Sequence, residues 1–271
     1  MSVLEAVVLG LLQGLTEFLP VSSTAHLRIV PELVGWEDPG AAFTAITQLG
    51  TLAAVLWYFR HDLGRIGRTW ASSLVRPELR GELDARMGWY VVVATVPIGL
   101  FGWLFDDQVE EGARDLRLVA WSLILFGLVL LAADRMGRKD RTIERITTRD
   151  GIVVGLAQAL ALVPGVSRAG ATLTAGLFLG LDRTAAARFS FLLSIPAVTL
   201  AGVYQLRVLG DEAASLDLPA TVIATVVAGI SGYATIAYLL RFLESHSMMV
   251  FVVYRLLLGG AILLLLEAGR L

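Results

Sequence analysis

Ten apolar segments run along the chain, over residues 3–19, 22–35, 41–59, 89–105, 117–134, 151–163, 168–181, 185–207, 218–240 and 248–268. All are read as helical, because a helix is the open-chain form that crosses lipid with every backbone group hydrogen-bonded. The first pair is interrupted at Pro20 and the sixth and seventh at Pro164-Gly165; proline stops a helix by removing an N–H and clashing with the preceding turn. Pieces of both broken pairs are too short or too polar to cross comfortably alone. Each pair therefore reads as a re-entrant helix–turn–helix that enters the membrane and returns to the same side.

The polar connections set an orientation. Residues 60–88 carry six arginines (Arg60, Arg65, Arg68, Arg76, Arg80, Arg86), and 135–149 carry six basic residues, among them Lys139, the lone lysine. Between them, 106–117 is acidic (Asp106, Asp107, Glu110, Glu111, Asp115), and 207–218 sets Arg207 against Asp211, Glu212 and Asp217. The positive-inside rule puts the basic connections in the cytoplasm and the acidic ones outside. Alternation then places 36–40 outside and 182–184 inside, so the first broken pair enters from outside and the second from the cytoplasm. The count also closes if both pairs cross twice; their polar content favours re-entry.

A repeat underlies this pattern. Gly10, Gln13 and Ser22 have the spacing of Gly155, Gln158 and Ser167, and Phe43 to Tyr58 is followed at nearly the same offset by Phe189 to Tyr204. Five segments per half is an odd number, so the halves (about 1–135 and 150–271) are inverted relative to one another within one membrane domain spanning 1–271. The expected fold is thus an all-α polytopic membrane protein with two hairpins meeting near the midplane, an arrangement found in transporters.

Composition agrees and narrows the chemistry. Fifty-six per cent of residues are apolar, 17% are charged and mean hydropathy is +0.72, outside the range of soluble domains. A net charge of −2 with no basic, aromatic-laced patch gives no reason to expect nucleic acid. The absence of cysteine removes disulfides, thiolate metal sites and cysteine catalysis. The first residues lack the basic region and cleavage site of a signal peptide. No metal-cage motif is present, so no protein metal site is expected.

Polar atoms concentrate in two stretches, Gln13-Gly-Leu-Thr-Glu-Phe-Leu-Pro-Val-Ser-Ser-Thr-Ala-His26 and Pro164-Gly-Val-Ser-Arg-Ala-Gly-Ala-Thr172. A carboxylate in an apolar segment costs about 2.5–3.5 kcal/mol on insertion scales and is a functional candidate by default. Glu17 is that carboxylate, one turn from Gln13. Ser22, Ser23 and Thr24 follow Pro20 where a helix would begin, as caps or as an anion seat with free amides. His26 falls on their face and fits a nucleophile or an acid/base. Arg168, beside Ser167 at a second helix start, suits a phosphate, which a guanidinium can hold through two oxygens. Thr172 lies a turn on, and Gly170 would let a ligand approach the backbone. An Arg168–Glu17 ion pair joining the halves is an alternative compatible with a site that opens to phosphate. Asp182, Arg183 and Arg188 read as interface anchors, and His61 and His246 as loop residues.

These two stretches resemble the signature motifs of the undecaprenyl-diphosphate phosphatase family, also known for bacitracin resistance. Gln48-Leu-Gly50, Phe189-Ser-Phe-Leu-Leu193 and Tyr254-Arg255 resemble further family segments, and the likeness covers essentially the whole chain. It implies removal of the terminal phosphate of a C55 isoprenyl diphosphate at the outer face of the bacterial plasma membrane, recycling the lipid carrier for peptidoglycan synthesis. It also implies a homodimer. Glu17, Ser23, His26, Ser167, Arg168 and Thr172 match the family's functional positions. Glu17, Ser23, His26 and Arg168 are taken as catalytic, and Gln13, Ser22, Thr24, Ser167, Gly170 and Thr172 as substrate-binding. Gln13 stands where many members have glutamate, Ala25 where glycine is usual and Ala169 where serine is usual. With one motif carboxylate, the Mg2+ or Ca2+ that assists the family would arrive bound to the diphosphate. Whether Ser23 or His26 attacks phosphorus stays open at this level, and a lipid-phosphate carrier or flippase is the rival function.

Overall fold

The structure, a computed structural model, describes residues 1–105, 108, 112, 115–208 and 217–271. Eleven α-helices occur among them: α1 (Val3–Phe18), α2 (Ser23–Val34), α3 (Gly40–Tyr58), α4 (Arg60–Val75), α5 (Leu83–Leu104), α6 (Leu116–Met136), α7 (Thr148–Ala159), α8 (Arg168–Phe178), α9 (Arg183–Val208), α10 (Leu218–Leu243) and α11 (Met249–Glu267). No β-strand is found among the described residues. Asp106, Asp107, Glu110, Glu111, Asp211 and Glu212, which carry most of the acidic charge assigned to the outer connections, lie outside the described residues.

The breaks fall where the prolines require them. A residue before proline is pushed out of the α region. Leu19 ends α1 at φ −75, ψ 145, and Val163, before Pro164, has φ −75, ψ 120. Of the eleven helices, six are long and apolar enough to cross a membrane: α3, α5, α6, α9 (over Arg183–Gln205), α10 and α11. The chain is a multi-pass membrane protein, and α1, α2, α7 and α8 are not among these six.

One expectation is corrected. The basic 60–88 connection is not a plain loop: α4 fills most of it, followed by a 3-10 turn at Pro77–Gly81, and His61 lies in its first turn. Leu63, Ile66 and Trp70 recur at three- and four-residue spacing and give α4 an apolar stripe, which the density of arginines obscured. Trp70 packs directly over Gly88 of α5, where even a Cβ would come within 2.6 Å of the indole.

Water supplies no hydrophobic drive between helices inside lipid, so association depends on close packing. Small residues provide it here. A Cβ on Gly50 of α3 would lie 2.1 Å from the Thr225 carbonyl oxygen of α10, and one on Gly14 of α1 would lie 2.5 Å from the Ala228 carbonyl oxygen. In the second half, a Cβ on Gly155 of α7 would lie 2.4 Å from Ala94 Cα of α5. Below the helix turns, Phe18, Phe59, Phe189 and Phe191 belong to one buried cluster, with Phe18 and Phe191 edge to face at 5.5 Å.

Ion pairs tie the helix ends into two groups. At one end, Asp134 of α6 accepts from Arg183 Nε (2.6 Å) at the start of α9 and from the Met248 amide (3.1 Å) before α11. Arg188 of α9 pairs there with Asp62 of α4 at 2.8 Å. At the other end, Arg28 pairs with Asp38 and Arg117 with Glu267. Arg183 and Arg188 thus serve as the anchors expected of them.

Two stability effects follow. Gly50→Ala is expected to lower the thermal midpoint in detergent, by the equivalent of about 1–3 kcal/mol for an overpacked contact. The second concerns Asp150, buried at the cap of α7 and bonded by Arg141 and Thr147. Burial works to raise its carboxyl pKa, but Arg141 and the Thr147 bonds outweigh it and hold the group below the ordinary range. A depressed folded pKa stabilises the fold above the unfolded value of about 3.9, and that contribution fades as pH falls through the folded value. Asp150→Asn should therefore melt earlier than wild type at neutral pH, with the gap closing below about pH 4 in a pH series of melts.

Candidate active site

The two proline breaks generate two turns of the same shape. Ser22 has φ 74, ψ 100 and Ser167 has φ 71, ψ 120, and these with Lys139 are the non-glycine residues of positive φ among those described. Such backbone costs on the order of 1–3 kcal/mol and persists only where the surroundings enforce it. Each serine caps the helix it opens: Ser22 Oγ accepts from the Ala25 amide (3.4 Å) and Ser167 Oγ from the Gly170 amide (3.1 Å). The first-turn amides that precede these have no intrahelical partner, and each helix start carries the positive end of its dipole. Two anion seats result.

Arg255 of α11 holds both turns. It is fully buried, and its guanidinium donates to five backbone carbonyls: Pro20 (3.1 Å), Gly165 (3.1 Å), Val166 (3.1 Å), Ser122 (3.3 Å) and Leu123 (3.1 Å). Gly170 faces the same group, since a Cβ there would lie 3.2 Å from Arg255 Nη1. Its missing side chain makes room for the protein's own arginine.

Between the turns lies a cavity of about 180 Å³, lined by Glu17, Ser22, Ser23, Thr24, Gln48, Ser167 and Arg168 on its polar side. Ile98, Ala197, Val198 and Ala201, from α5 and α9, are among its apolar lining. Glu17 is the hub. Its Oε2 accepts from Gln13 Nε2 at 3.1 Å and from Ser23 Oγ at 2.8 Å, and its Oε1 accepts from Arg168 Nη2 at 2.8 Å. The expected Glu17–Arg168 pair therefore exists, with Ser23 attached to it.

Four of the expected site residues stand outside the cavity. His26 does not line the cavity: its Nδ1 lies 2.7 Å from the Ser22 carbonyl oxygen and its Nε2 2.5 Å from the Tyr254 hydroxyl. Thr172 turns away, bonding the Arg168 carbonyl (2.8 Å) and Ser190 of α9 (2.6 Å). Gly170 meets Arg255 instead of open space. Gln13 is behind Glu17, and its Oε1 is buried without a partner. Sequence reasoning gave no role to Gln48, Tyr254 or Arg255. Arg255 carried a usable signal, a charge inside the apolar run 248–268; a neutral glutamine or a tyrosine stands out far less.

Among the described residues, no group of three or more His, Cys, Asp or Glu side chains could hold a metal. Mg2+ and Ca2+ take six or more oxygen ligands, and this cavity offers one carboxylate with the orphaned Gln13 Oε1 behind it. The residues present do not make a dedicated cation cage.

Replacing Arg255 strands buried carbonyls, each costing about 1–3 kcal/mol when left unpaired. Arg255→Lys, with three donors for five acceptors, should lower the thermal midpoint, and Arg255→Met should lower it further. Melting curves of the two variants in detergent check the order.

Comparison with known proteins identifies the family. The family described as "Bacitracin resistance protein BacA" matches residues 6–261. A Nocardioides sp. protein named undecaprenyl-diphosphatase is 56% identical over 266 residues, covering 98% of this chain and 97% of the relative. Proteins of the same name from Mycolicibacterium smegmatis (53% identical, covering 100% of this chain and 99% of the relative) and Thermobifida fusca (52%, covering 100% and 92%) are similar throughout. With residues 6–261 matched by the family and relatives more than half identical over nearly the whole chain, the chain belongs to the bacitracin resistance protein BacA family.

Proposed function

We propose that this protein is a membrane phosphatase that removes the terminal phosphate of undecaprenyl diphosphate, leaving undecaprenyl phosphate and inorganic phosphate. The observation that carries the reading is the joint placement of Ser23, Glu17 and Arg168 in one cavity between two helix N-termini. The relatives' shared name favours hydrolysis over a lipid-phosphate carrier.

The terminal phosphate would sit against the first-turn amides of α2 and α8, with Arg168 exchanging part of its pairing with Glu17 for phosphate oxygens. Ser23 Oγ attacks phosphorus as its proton passes to Glu17, and the bond from phosphorus to the bridging oxygen breaks. Undecaprenyl phosphate departs and its oxygen or solvent takes the proton from Glu17. Water then attacks the phosphoserine, giving a proton to Glu17, which returns one to Ser23 as phosphate leaves. Arg168 and the amides stabilise the equatorial oxygens. Ser23 is favoured over His26 because its hydroxyl lines the cavity and touches a base, whereas both ring nitrogens of His26 are engaged elsewhere. Ser22, Thr24, Ser167 and Gln48 line the same space and complete the diphosphate seat. The prenyl chain would leave along Ile98, Ala197, Val198 and Ala201. A divalent ion would arrive bound to the diphosphate and offset phosphate charge.

The inverted repeat and the re-entrant hairpins belong to this reading. They are supported by the six candidate spans, which leave out α1, α2, α7 and α8, and by the matched geometry of Ser22 and Ser167. With the basic connections in the cytoplasm, the cavity would open toward the outer face.

Ser23→Ala and Arg168→Ala are each expected to slow phosphate release from a polyprenyl diphosphate by about 10²–10³-fold or more, the scale of losing one transition-state contact. Trapped wild-type enzyme should carry an acid-stable phosphoserine. An acid-labile adduct, or full activity in Ser23→Ala, would refute the assignment.

A further inference from the structure

His26 is 5% exposed and has two well-defined partners. A carbonyl oxygen can only accept, so the 2.7 Å contact to Ser22 requires the proton on Nδ1. Nε2 of the neutral ring then presents a lone pair, and the Tyr254 hydroxyl, 2.5 Å away, donates to it. The two rings stack with centroids 5.6 Å apart and planes 7° from parallel. Tyr254 immediately precedes Arg255, whose guanidinium holds Pro20. Two consecutive residues of α11 therefore grip one turn: Arg255 takes the Pro20 carbonyl, and Tyr254 takes the Ser22 carbonyl through His26. Ser22 is the strained residue of that turn, and Ser23 follows it directly.

We infer that Tyr254 is a positioning residue: by holding Nε2 of the His26 ring, it keeps Nδ1–H on the Ser22 carbonyl, steadies the Ser22 turn and so aims Ser23 at phosphorus. This rests on the phosphatase reading for its catalytic consequence, but the protonation of the ring does not. Without the tyrosine hydroxyl, Nε2 loses its partner and the ring can turn about its side-chain torsions, which loosens its bond to the Ser22 carbonyl. The turn then relaxes, and a displacement of an ångström at a reacting atom is enough to cost about 10²-fold in rate.

The test is Tyr254→Phe in the full-length, detergent-solubilised protein, with histidine labelled with 15N and phosphate release measured on a polyprenyl diphosphate. Wild-type His26 is expected as the Nδ1–H tautomer with its Nε2 resonance shifted by the hydrogen bond from Tyr254, and Tyr254→Phe should keep the tautomer but lose that shift. Its kcat should fall roughly 10–100-fold, with KM within about threefold of wild type. His26→Asn keeps an amide N–H near the Nδ1 position and should retain roughly a tenth or more of wild-type kcat, while His26→Ala should lose far more. An Nε2–H or doubly protonated ring in wild type overturns the inference, and needs neither substrate nor a folded variant to be seen. Inactivity of His26→Asn equal to that of His26→Ala, with Tyr254→Phe unaffected, overturns it by giving the ring a chemical role. A rise in KM with unchanged kcat in Tyr254→Phe overturns it by moving the tyrosine to the lipid. The tautomer result also separates this inference from the phosphatase reading, which fails on its own if Ser23→Ala stays active.

Discussion

The site depends on a buried charge that makes no ion pair among the described residues. Arg255 spends its guanidinium on five main-chain carbonyls drawn from two proline turns and α6. Desolvating such a group costs several kcal/mol, and charge-assisted bonds of about 1.5–3 kcal/mol each offset that cost. The choice of partners has a purpose. Carbonyl oxygens bound to Arg255 leave the amides at the helix starts for an anion.

That clamp explains how two unfavourable serine conformations persist. A turn with φ near +70 at a residue bearing a side chain relaxes unless held, and here it is held twice in the first half. The result is a cavity whose polar wall is set before any ligand arrives. Preorganised donors cost no rearrangement at the moment of reaction, which is where electrostatic catalysis gains most. Glu17 and Arg168 also keep one another paired in a poorly solvated site, so neither charge stands alone in the absence of substrate.

Much of this was legible from the chain. Glu17, Ser23 and Arg168 stood out because ionisable or hydroxylated residues are costly in apolar surroundings, and proline marked where the helices stop. The polar side of the cavity, Gln48 apart, was therefore visible. Its apolar side was not: Ile98, Ala197, Val198 and Ala201 carry no contrast in a sequence that is mostly apolar. Thr172 and Gly170 misled for a different reason. Residues one turn apart share a face, but Thr172 satisfied its hydroxyl on its own helix and on Ser190, and the gap at Gly170 was filled by an arginine 85 residues on. Arg255 could have been found by the rule that found Arg168. The α4 helix was hidden because charge density was read ahead of periodicity.

One feature of the matched turns has a stereochemical consequence. Ser23 and Arg168 are the first residues of α2 and α8, each directly after its strained serine. In the proposed mechanism, equivalent positions would thus supply an oxygen nucleophile on one side and a cation on the other. A phosphoryl group lying between them would meet an attacking atom from one direction and charge stabilisation from another, so its three equatorial oxygens would not be interchangeable. Passage through a phosphoserine would invert phosphorus twice. A chiral thiophosphate substrate labelled with oxygen isotopes should then emerge with its handedness retained, whereas direct attack by water would invert it.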